Sequence, residues 1–380
     1  MDELYNAIRS DSFEDVFQIV DSGAVDLSED NNGPIKLAAE LGRTNIVIYL
    51  KDIPGVDPTV DNNYPIIFAA INNHPDIVQT LSTIPGVNAG DSDNHAFLVT
   101  ANNGNANMLR ILSSLPGVDP FADNDFALEY ATKNNHNESV EFLLTLYKKE
   151  PPNYVFLMNI AARNQNLPLI WIIADAEGID SDSGADLIKW VAQKRHLSTL
   201  QFLTQQISHD VTAIHHRSNE LSQYQKFHET QQVKSTLHNI TLAAAAQGDT
   251  SLLTIMIEAP NVRQSVIDRS LYVAVENNQL EPVQYLSQLP SVSDNTLDTA
   301  LMEAAKYGYL SIVQHLVRLP RVNIGAKARA FYQAAINNKI HVLRELNAIR
   351  GIPKLVKDAS LRTARDRGYN DIVQYLQGLH

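Results

Sequence analysis

Apolar and polar positions follow the three- and four-residue intervals of amphipathic helices, and the pattern restarts about every thirty residues. Three stretches, starting at Pro34, Pro65 and Leu301, follow one template. Each carries a pair of alanines, a turn residue three positions after the second alanine, and an Ile-Val pair before a loop that contains proline. The template predicts a repeated unit of helix, turn, second helix and loop.

The turn position recurs at intervals of 30 or 31 residues, with one interval of 53. Nine of these twelve residues are Gly or Asn, which adopt positive φ at low cost and therefore end helices. After the turn residue Asn73, we expect His74 and Pro75 to start the second helix, because proline is tolerated at the first position of a helix. We predict a left-handed helix end at Asp11, Gly42, Asn73, Gly104, Asn135, Gln165, Arg195, Gly248, Asn278, Gly308, Asn338 and Gly368.

Small side chains in the first helices predict that neighbouring first helices pack closely, because short residues let backbones approach. The pairs are Ala38-Ala39, Ala69-Ala70, Ala161-Ala162, Ala244-Ala245, Ala304-Ala305 and Ala334-Ala335. Larger apolar pairs, such as Ile46-Val47 and Ile77-Val78, predict the core contacts of the second helices. Stacked units of this kind need polar outer faces at the ends of the array, and the stretches 13–17 and 365–367 fit that expectation.

These positions resemble the ankyrin-repeat family over nearly the whole chain. Residues 61–78 follow the family template Asp…Gly-x-Thr-Pro-Leu-His-x-Ala-Ala-x-x-Gly-His-x-x-Ile-Val in order. Thr-Pro-Leu-His survives only as Pro34-Ile and Pro65-Ile, and the period is shorter than the usual length of about 33 residues. The resemblance implies an all-α, ankyrin-like helix-turn-helix solenoid of about 12 repeats with short or degenerate finger loops. The Pro-Gly-Val-Asp-Pro phrases are similar to divergent arrays of amoebae, giant viruses and amoeba-associated intracellular bacteria.

The long interval divides the chain into residues 1–204 with repeats 1–7, an insertion at 205–240, and residues 241–380 with repeats 8–12. Apolar residues in the insertion recur every three or four positions, which predicts a helical hairpin that lengthens the neighbouring helices. No two of its histidines stand four residues apart, so solvated or packed histidines are favoured over a metal site, and pH sensitivity stays open. These histidines are His209, His215, His216, His228 and His238.

Composition narrows the possible functions. The chain has no cysteine, which excludes disulfides and thiolate chemistry, and no nucleotide-binding loop, nucleophile elbow or zincin motif. We expect no catalytic residues, no cofactor and no metal. The acidic segments 91–93 and 123–125 lack the glycine and distal glutamate of a calcium loop and are interpreted as turns. The first residues are acidic and contain no apolar stretch, so we expect neither a signal peptide nor a membrane segment. A cytoplasmic location is the corresponding expectation.

The resemblance implies a protein partner bound on the concave face, which the family builds from first helices and finger loops. The matching positions stand five, two and one residues before each turn residue, where aromatic and charged side chains would serve as anchors. For each single residue, packing against the next repeat is the alternative to binding. The candidates are Phe68, Ile71, Tyr130, Lys133, Trp190, Lys194, Glu303, Tyr307, Ile336 and Arg367.

Charge is distributed unevenly. Residues 1–135 contain 20 acidic and 6 basic side chains, whereas residues 318–368 contain 12 basic and 3 acidic ones. The basic end suggests affinity for acidic protein, phosphate or nucleic acid, but the overall charge of −13 and the lack of an aromatic stacking platform disfavour nucleic acid. The main hypothesis is a non-enzymatic protein-binding scaffold, including a microbial effector delivered into host cytoplasm. The alternatives are an activity in the 205–240 insertion and ligand binding by the basic repeats.

Overall fold

A computed structural model describes residues 1–147, 151–179, 184–209, 223–259, 262–349 and 351–378 of the 380-residue chain. These residues form two compact units, Met1–Asp180 and Ser181–His380. Helices account for the secondary structure of the described residues, and no strand occurs among them. The expected all-α class is therefore confirmed.

The described residues of the first unit form six helix pairs. Its first helices contact one another in succession, and so do its second helices, so that two parallel layers of helices result. The first helices are α1 Asp2–Arg9, α3 Glu29–Glu40, α5 Val60–Ile71, α7 Asp91–Asn103, α9 Ala122–Lys133 and α11 Tyr154–Arg163. The second helices are α2 Phe13–Asp21, α4 Thr44–Leu50, α6 Pro75–Ser82, α8 Ala106–Ser113, α10 Asn137–Leu146 and α12 Leu167–Glu177.

The second unit has the same two-layer arrangement, again with six helix pairs among the described residues. Its first helices are α13 Gly184–Gln193, α15 Gln223–Gln247, α17 Gln264–Glu276, α19 Asp294–Tyr307, α21 Ile324–Ile336 and α23 Lys354–Asp366. Its second helices are α14 Leu197–His209, α16 Thr250–Glu258, α18 Leu280–Gln288, α20 Leu310–Leu316, α22 Ile340–Asn347 and α24 Asn370–Gln377. Both units are helical solenoids.

The small residues pack as the sequence predicts. Ala69, Ala70, Ala304 and Ala305 are fully buried, and the same holds for the pairs Ile46-Val47 and Ile77-Val78. Successive first helices meet at the alanines, where a longer side chain would push the backbones apart. Each repeat thus completes the core of its neighbour, which is the basis of solenoid stability.

The turn prediction is confirmed at every one of the twelve positions. All have positive φ, between 54° and 89°, including the three that are neither Gly nor Asn, namely Asp11, Gln165 and Arg195. The backbone hydrogen-bond pattern explains this result, because the residue after each turn donates back into the last helical turn. In one repeat, for example, the N–H of His74 donates to the carbonyl of Ala69 at 2.8 Å.

A second left-handed feature was not predicted. Three consecutive residues with positive φ precede the regular part of α3, α5 and α7, at 30–32, 61–63 and 92–94. The last residue of each triplet is an asparagine whose Oδ1 accepts a hydrogen bond from a loop N–H of the following repeat. Asn32 accepts from Asp57 at 2.7 Å, Asn63 from Asn88 at 2.8 Å, and Asn94 from Asp119 at 2.7 Å. These hydrogen bonds join each triplet to the loop of the following repeat.

The residue after several of the turns contacts the preceding repeat through its side chain. Nε2 of His74 contacts the carbonyl of Glu40 at 3.1 Å, and Nε2 of His136 contacts that of Asn102 at 2.9 Å. In the second unit, Gln279 donates to the carbonyl of Ala246 at 3.2 Å. Each contact satisfies a carbonyl at the end of the preceding first helix, which has no partner within its own helix. His74 therefore joins two repeats as well as starting a helix.

The predicted insertion is only partly described. Helix α14 ends at His209 and α15 begins at Gln223, and α15 is 25 residues long. The intervening residues 210–222, with His215 and His216, lie outside the described residues. The proposed helical hairpin and the division at 205–240 therefore stay predictions.

The second helix of the first repeat combines exposed polar residues, Glu14 and Asp15, with exposed aromatic ones. Phe13 and Phe17 of α2 are 40% and 41% exposed, and Val16 is the buried residue of this helix. Both rings lean on Tyr49 of α4, at centroid distances of 5.7 and 5.6 Å, instead of entering the core. The first repeat thus carries an aromatic surface in addition to the expected polar residues.

Candidate functional site

In each unit the candidate residues lie on the first helices or directly after them, and we call the surface that they mark on each unit its first-helix face. Each stands five, two or one residues before a turn residue. None of them is buried. Phe68, Ile71, Tyr130, Trp190, Glu303 and Ile336 are half-buried, and Lys133, Lys194, Tyr307 and Arg367 are exposed.

In the first unit, Phe68 is fixed by its neighbour in α5. Its ring stacks on Tyr64 with centroids 3.8 Å apart and planes 15° apart. The Tyr64 hydroxyl donates to the carboxylate of Glu40 at 3.0 Å, and burial together with this hydrogen bond raises the pKa of Tyr64 to about 12. Lys36 lies 5.8 Å from the Tyr64 ring. The aromatic pair is therefore tied to the preceding repeat, while Ile71 lies at the end of the same helix, half-buried.

Tyr130 and Lys133 form a similar group on α9. The ring of Tyr130 lies 5.7 Å from that of Phe126, which is itself exposed. Lys133 pairs with Glu129 one helical turn earlier. The helix thus presents two neighbouring aromatic rings beside an ion pair.

Trp190 and Lys194 mark the corresponding surface of α13. The indole lies 5.3 Å from the imidazole of His196, and Lys194 lies 5.9 Å from the indole. His196 is 2% exposed, and neither of its ring nitrogens has a hydrogen-bond partner. Burial, with a smaller contribution from Lys194, lowers the pKa of His196. The half-buried indole therefore covers a neutral histidine, so Trp190 combines packing with surface exposure.

Further along the second unit, Glu303 and Tyr307 share a partner. Lys306 pairs with Glu303 at 2.9 Å and lies 5.0 Å from the ring of Tyr307. That ring is stacked against Tyr309 of the same repeat, with centroids 5.6 Å apart. The hydrogen bond to Glu303 raises the pKa of Lys306. A cation is thus held between a carboxylate and an exposed aromatic ring.

The last two candidates contact each other directly. Arg367, which precedes the turn at Gly368, donates to the backbone carbonyl of Ile336 in the preceding repeat. The arginine therefore caps the end of α21 in the way that His74 and His136 cap earlier helices. This contact gives Arg367 a structural role beside any role in binding.

The basic residues near the end of the chain are partly engaged in internal contacts. Arg321 pairs with Asp294 at 2.8 Å, and Arg329 with Asp298 at 3.3 Å. Arg344 lies 5.4 Å from the ring of Tyr375. Some of the basic side chains in this segment therefore hold adjacent repeats together.

Sequence reasoning named the candidates but missed the groups that position them. The hydroxyl of Tyr64 and the rings of Phe126 and Tyr309 contact the candidates or their neighbours, and the residue after several of the turns joins two repeats. One signal was present, since His74 and His136 both directly follow a turn residue. A regular polar residue at a repeat junction indicates a hydrogen bond between repeats.

The described part of the chain contains no group of three or more histidine, aspartate or glutamate side chains that could hold a metal ion. None of its helices is both long and apolar enough to cross a membrane.

Comparison with known proteins identifies the family of the repeats. No curated protein matches the chain. The family model described as "Ankyrin repeats (3 copies)" matches residues 66–154 and 240–328, one segment in each unit. Its match coincides with the helix pairs, left-handed turns and buried alanines described above. The chain is an ankyrin-repeat protein, and its repeats form the kind of scaffold that mediates protein–protein interaction.

Proposed function

We propose that this protein is a non-enzymatic scaffold that binds a protein partner on the first-helix face. One observation carries the proposal, which is that half-exposed aromatic residues recur at the same repeat position in both units, at Phe68, Tyr130 and Trp190. Tyrosine and tryptophan are frequent anchors of protein interfaces. Phe68 and Tyr130 offer two anchors of this kind in the first unit, and Trp190 offers one in the second.

The surroundings of these rings favour binding at low entropic cost. Phe68 is stacked on Tyr64, Tyr130 leans on Phe126, and Trp190 covers His196. Because the rings are already held in place, association immobilises fewer side chains than it would on a flexible surface. Preorganisation therefore leaves more of the contact energy for affinity.

Charged groups beside the rings supply specificity. Lys133 and Glu129, like Lys306 and Glu303, form exposed ion pairs next to aromatic residues. Such pairs contribute little to stability but can select a partner with matching charges. The loops that resemble microbial arrays support a host protein as the partner and host cytoplasm as the place of action.

The test is affinity capture from a eukaryotic cell lysate, followed by mass spectrometry. The wild type is compared with Tyr130→Ala/Trp190→Ala and with a control, Glu141→Ala/Glu281→Ala, which changes one exposed second-helix residue in each unit. Circular dichroism first establishes that all three are folded. We expect one protein to be captured by the wild type and the control and lost with the aromatic double variant.

The captured protein is then produced alone and titrated. Loss of two interface anchors should raise the dissociation constant by about 30-fold or more, which corresponds to a loss of about 2 kcal/mol in binding free energy. If the double variant binds as tightly as the wild type, the aromatic row only stabilises the fold and the proposal is wrong. Equal loss in the control variant would move the interface to the second helices.

A further inference from the structure

An aromatic patch lies on the second helices at the start of the chain, away from the first-helix face. It consists of Phe13 and Phe17 of α2 and Tyr49 of α4, with ring centroids between 5.6 and 6.5 Å apart. The residue before Tyr49 in α4, Ile48, is 45% exposed. A cluster of exposed apolar side chains is costly for a monomer and marks an interaction surface.

Carboxylates surround this patch. Glu14 and Asp21 are exposed on α2 beside the two phenylalanines, and Asp52 follows α4. The pKa of Tyr49 is raised by burial and further by the charge of Asp21, which places that carboxylate near the patch. Lys51 pairs with the adjacent Asp52 at 2.7 Å, so it does not neutralise the others. A surface complementary to this patch must therefore carry an apolar side chain for the rings and positively charged side chains for the carboxylates.

The other end of the same chain carries such a surface. Leu355, near the start of α23, is 73% exposed, the highest value among the large apolar side chains described. Lys354 precedes it, and Arg362 stands seven residues later on the same face of the helix. Both cations are exposed, and they lie in the segment with 12 basic and 3 acidic residues.

We propose that copies of this chain associate head to tail, with Leu355 of one copy packed against the aromatic patch of the next. Lys354 and Arg362 then face Glu14 and Asp21 of the second copy. The contact is heterologous, because the two surfaces differ, so each added copy leaves one patch and one Leu355 free. The proposal is independent of partner binding on the first-helix face.

The first test is light scattering on the full chain at increasing concentration. From about 1 µM to about 1 mM, a range that covers weak association, the average mass should rise from the monomer value to at least about twofold. The monomer mass is 42.2 kDa. Raising NaCl to about 1 M shortens the screening length to about 3 Å and should lower the mass again. A mass that stays at the monomer value over the whole range overturns the proposal.

The second test uses two variants that each destroy one surface. Phe17→Ser and Leu355→Ser should both be monomeric, whereas Val155→Ser, at a residue of α11 with 40% exposure, should associate like the wild type. An equimolar mixture of the two monomeric variants should form a dimer and nothing larger, because only one intact pair of surfaces remains. Circular dichroism of each variant separates loss of association from loss of folding.

Two results would contradict this assignment. If Leu355→Ser still associates while Phe17→Ser does not, the patch binds another surface. If the mixture stays monomeric although both variants are folded, the two surfaces do not recognise each other.

Discussion

Substitution of one turn glycine tests whether the repeats are joined at their turns. Gly104 has φ 78°, and a Cβ placed on it would lie 2.5 Å from Cγ of His136 in the next repeat. Nε2 of that histidine contacts the carbonyl of Asn102 at 2.9 Å. Gly104→Ala must therefore push the ring away and break a contact between repeats. Gly178 is the matched control, since it has φ 82° and no atom within 4 Å of the added Cβ.

Both substitutions place an alanine in a left-handed backbone conformation, but only Gly104→Ala brings the new Cβ against a neighbouring side chain. An alanine in the left-handed region costs about 1 kcal/mol. Gly178→Ala should lower the free energy of unfolding by about that amount. Gly104→Ala should lower it by about 2 to 3 kcal/mol, because displacement of His136 adds about 1 to 2 kcal/mol of lost hydrogen bonding and packing.

A double-mutant cycle isolates the contact. In the His136→Ala background the ring is absent, so the further cost of Gly104→Ala should fall back to about 1 kcal/mol. The assay is urea unfolding followed by circular dichroism, with hydrogen exchange around residues 102–105 as a local measure, since repeat arrays can open locally. If Gly104→Ala and Gly178→Ala cost the same, or if the His136→Ala background gives no relief, the reasoning is refuted.

Three further predictions concern single polar side chains. Asn63→Ala should cost about 2 kcal/mol more in unfolding free energy than Asn62→Ala, because both residues have positive φ but only Asn63 is buried and binds the N–H of Asn88; equal costs in urea unfolding would contradict the role of the asparagine ladder. Burial lowers the pKa of His196, so the unfolded chain binds protons more readily below about pH 6.5, and stability should fall as pH drops from about 7 to 5. His196→Phe should remove part of that loss and be at least as stable at pH 7, and thermal unfolding at both pH values would show whether it does. Arg321→Lys should lower the free energy of unfolding by about 1 to 2 kcal/mol, because the guanidinium binds Asp294 and the carbonyls of Leu289 and Val292 at the same time. An unchanged midpoint of urea unfolding would show that one of these bonds suffices.

The candidate face shows where sequence reasoning stopped. Position relative to a turn predicted that Phe68 and Trp190 lie away from the core, and the structure places both half-exposed. Their surroundings could not be predicted, because the ring of Trp190 meets His196 across a turn and Phe68 meets Tyr64 within a helix whose start is bent by a left-handed triplet. Side-chain contacts depend on such local geometry, which a period does not contain.

The first repeat gives the opposite case. The stretch 13–17 was expected to fit a polar outer face, without a separate place for Phe13 and Phe17. The structure turns both rings toward Tyr49 of the next repeat, with a large part of each ring in solvent. Neighbouring residues in a sequence can face different sides of a helix, so composition alone does not say which side is covered.

Local chemistry determined the period, the twelve left-handed turns and the buried alanines, because each depends on the conformational freedom or size of one residue at a fixed position. Only the tertiary structure decided how the repeats are joined. Contacts such as Asn63 to the N–H of Asn88, His136 to the carbonyl of Asn102, and the rings of α2 to Tyr49 link residues about 25 to 36 positions apart. Their geometry follows from the rotation of one repeat against the next, which packing sets and no single unit encodes.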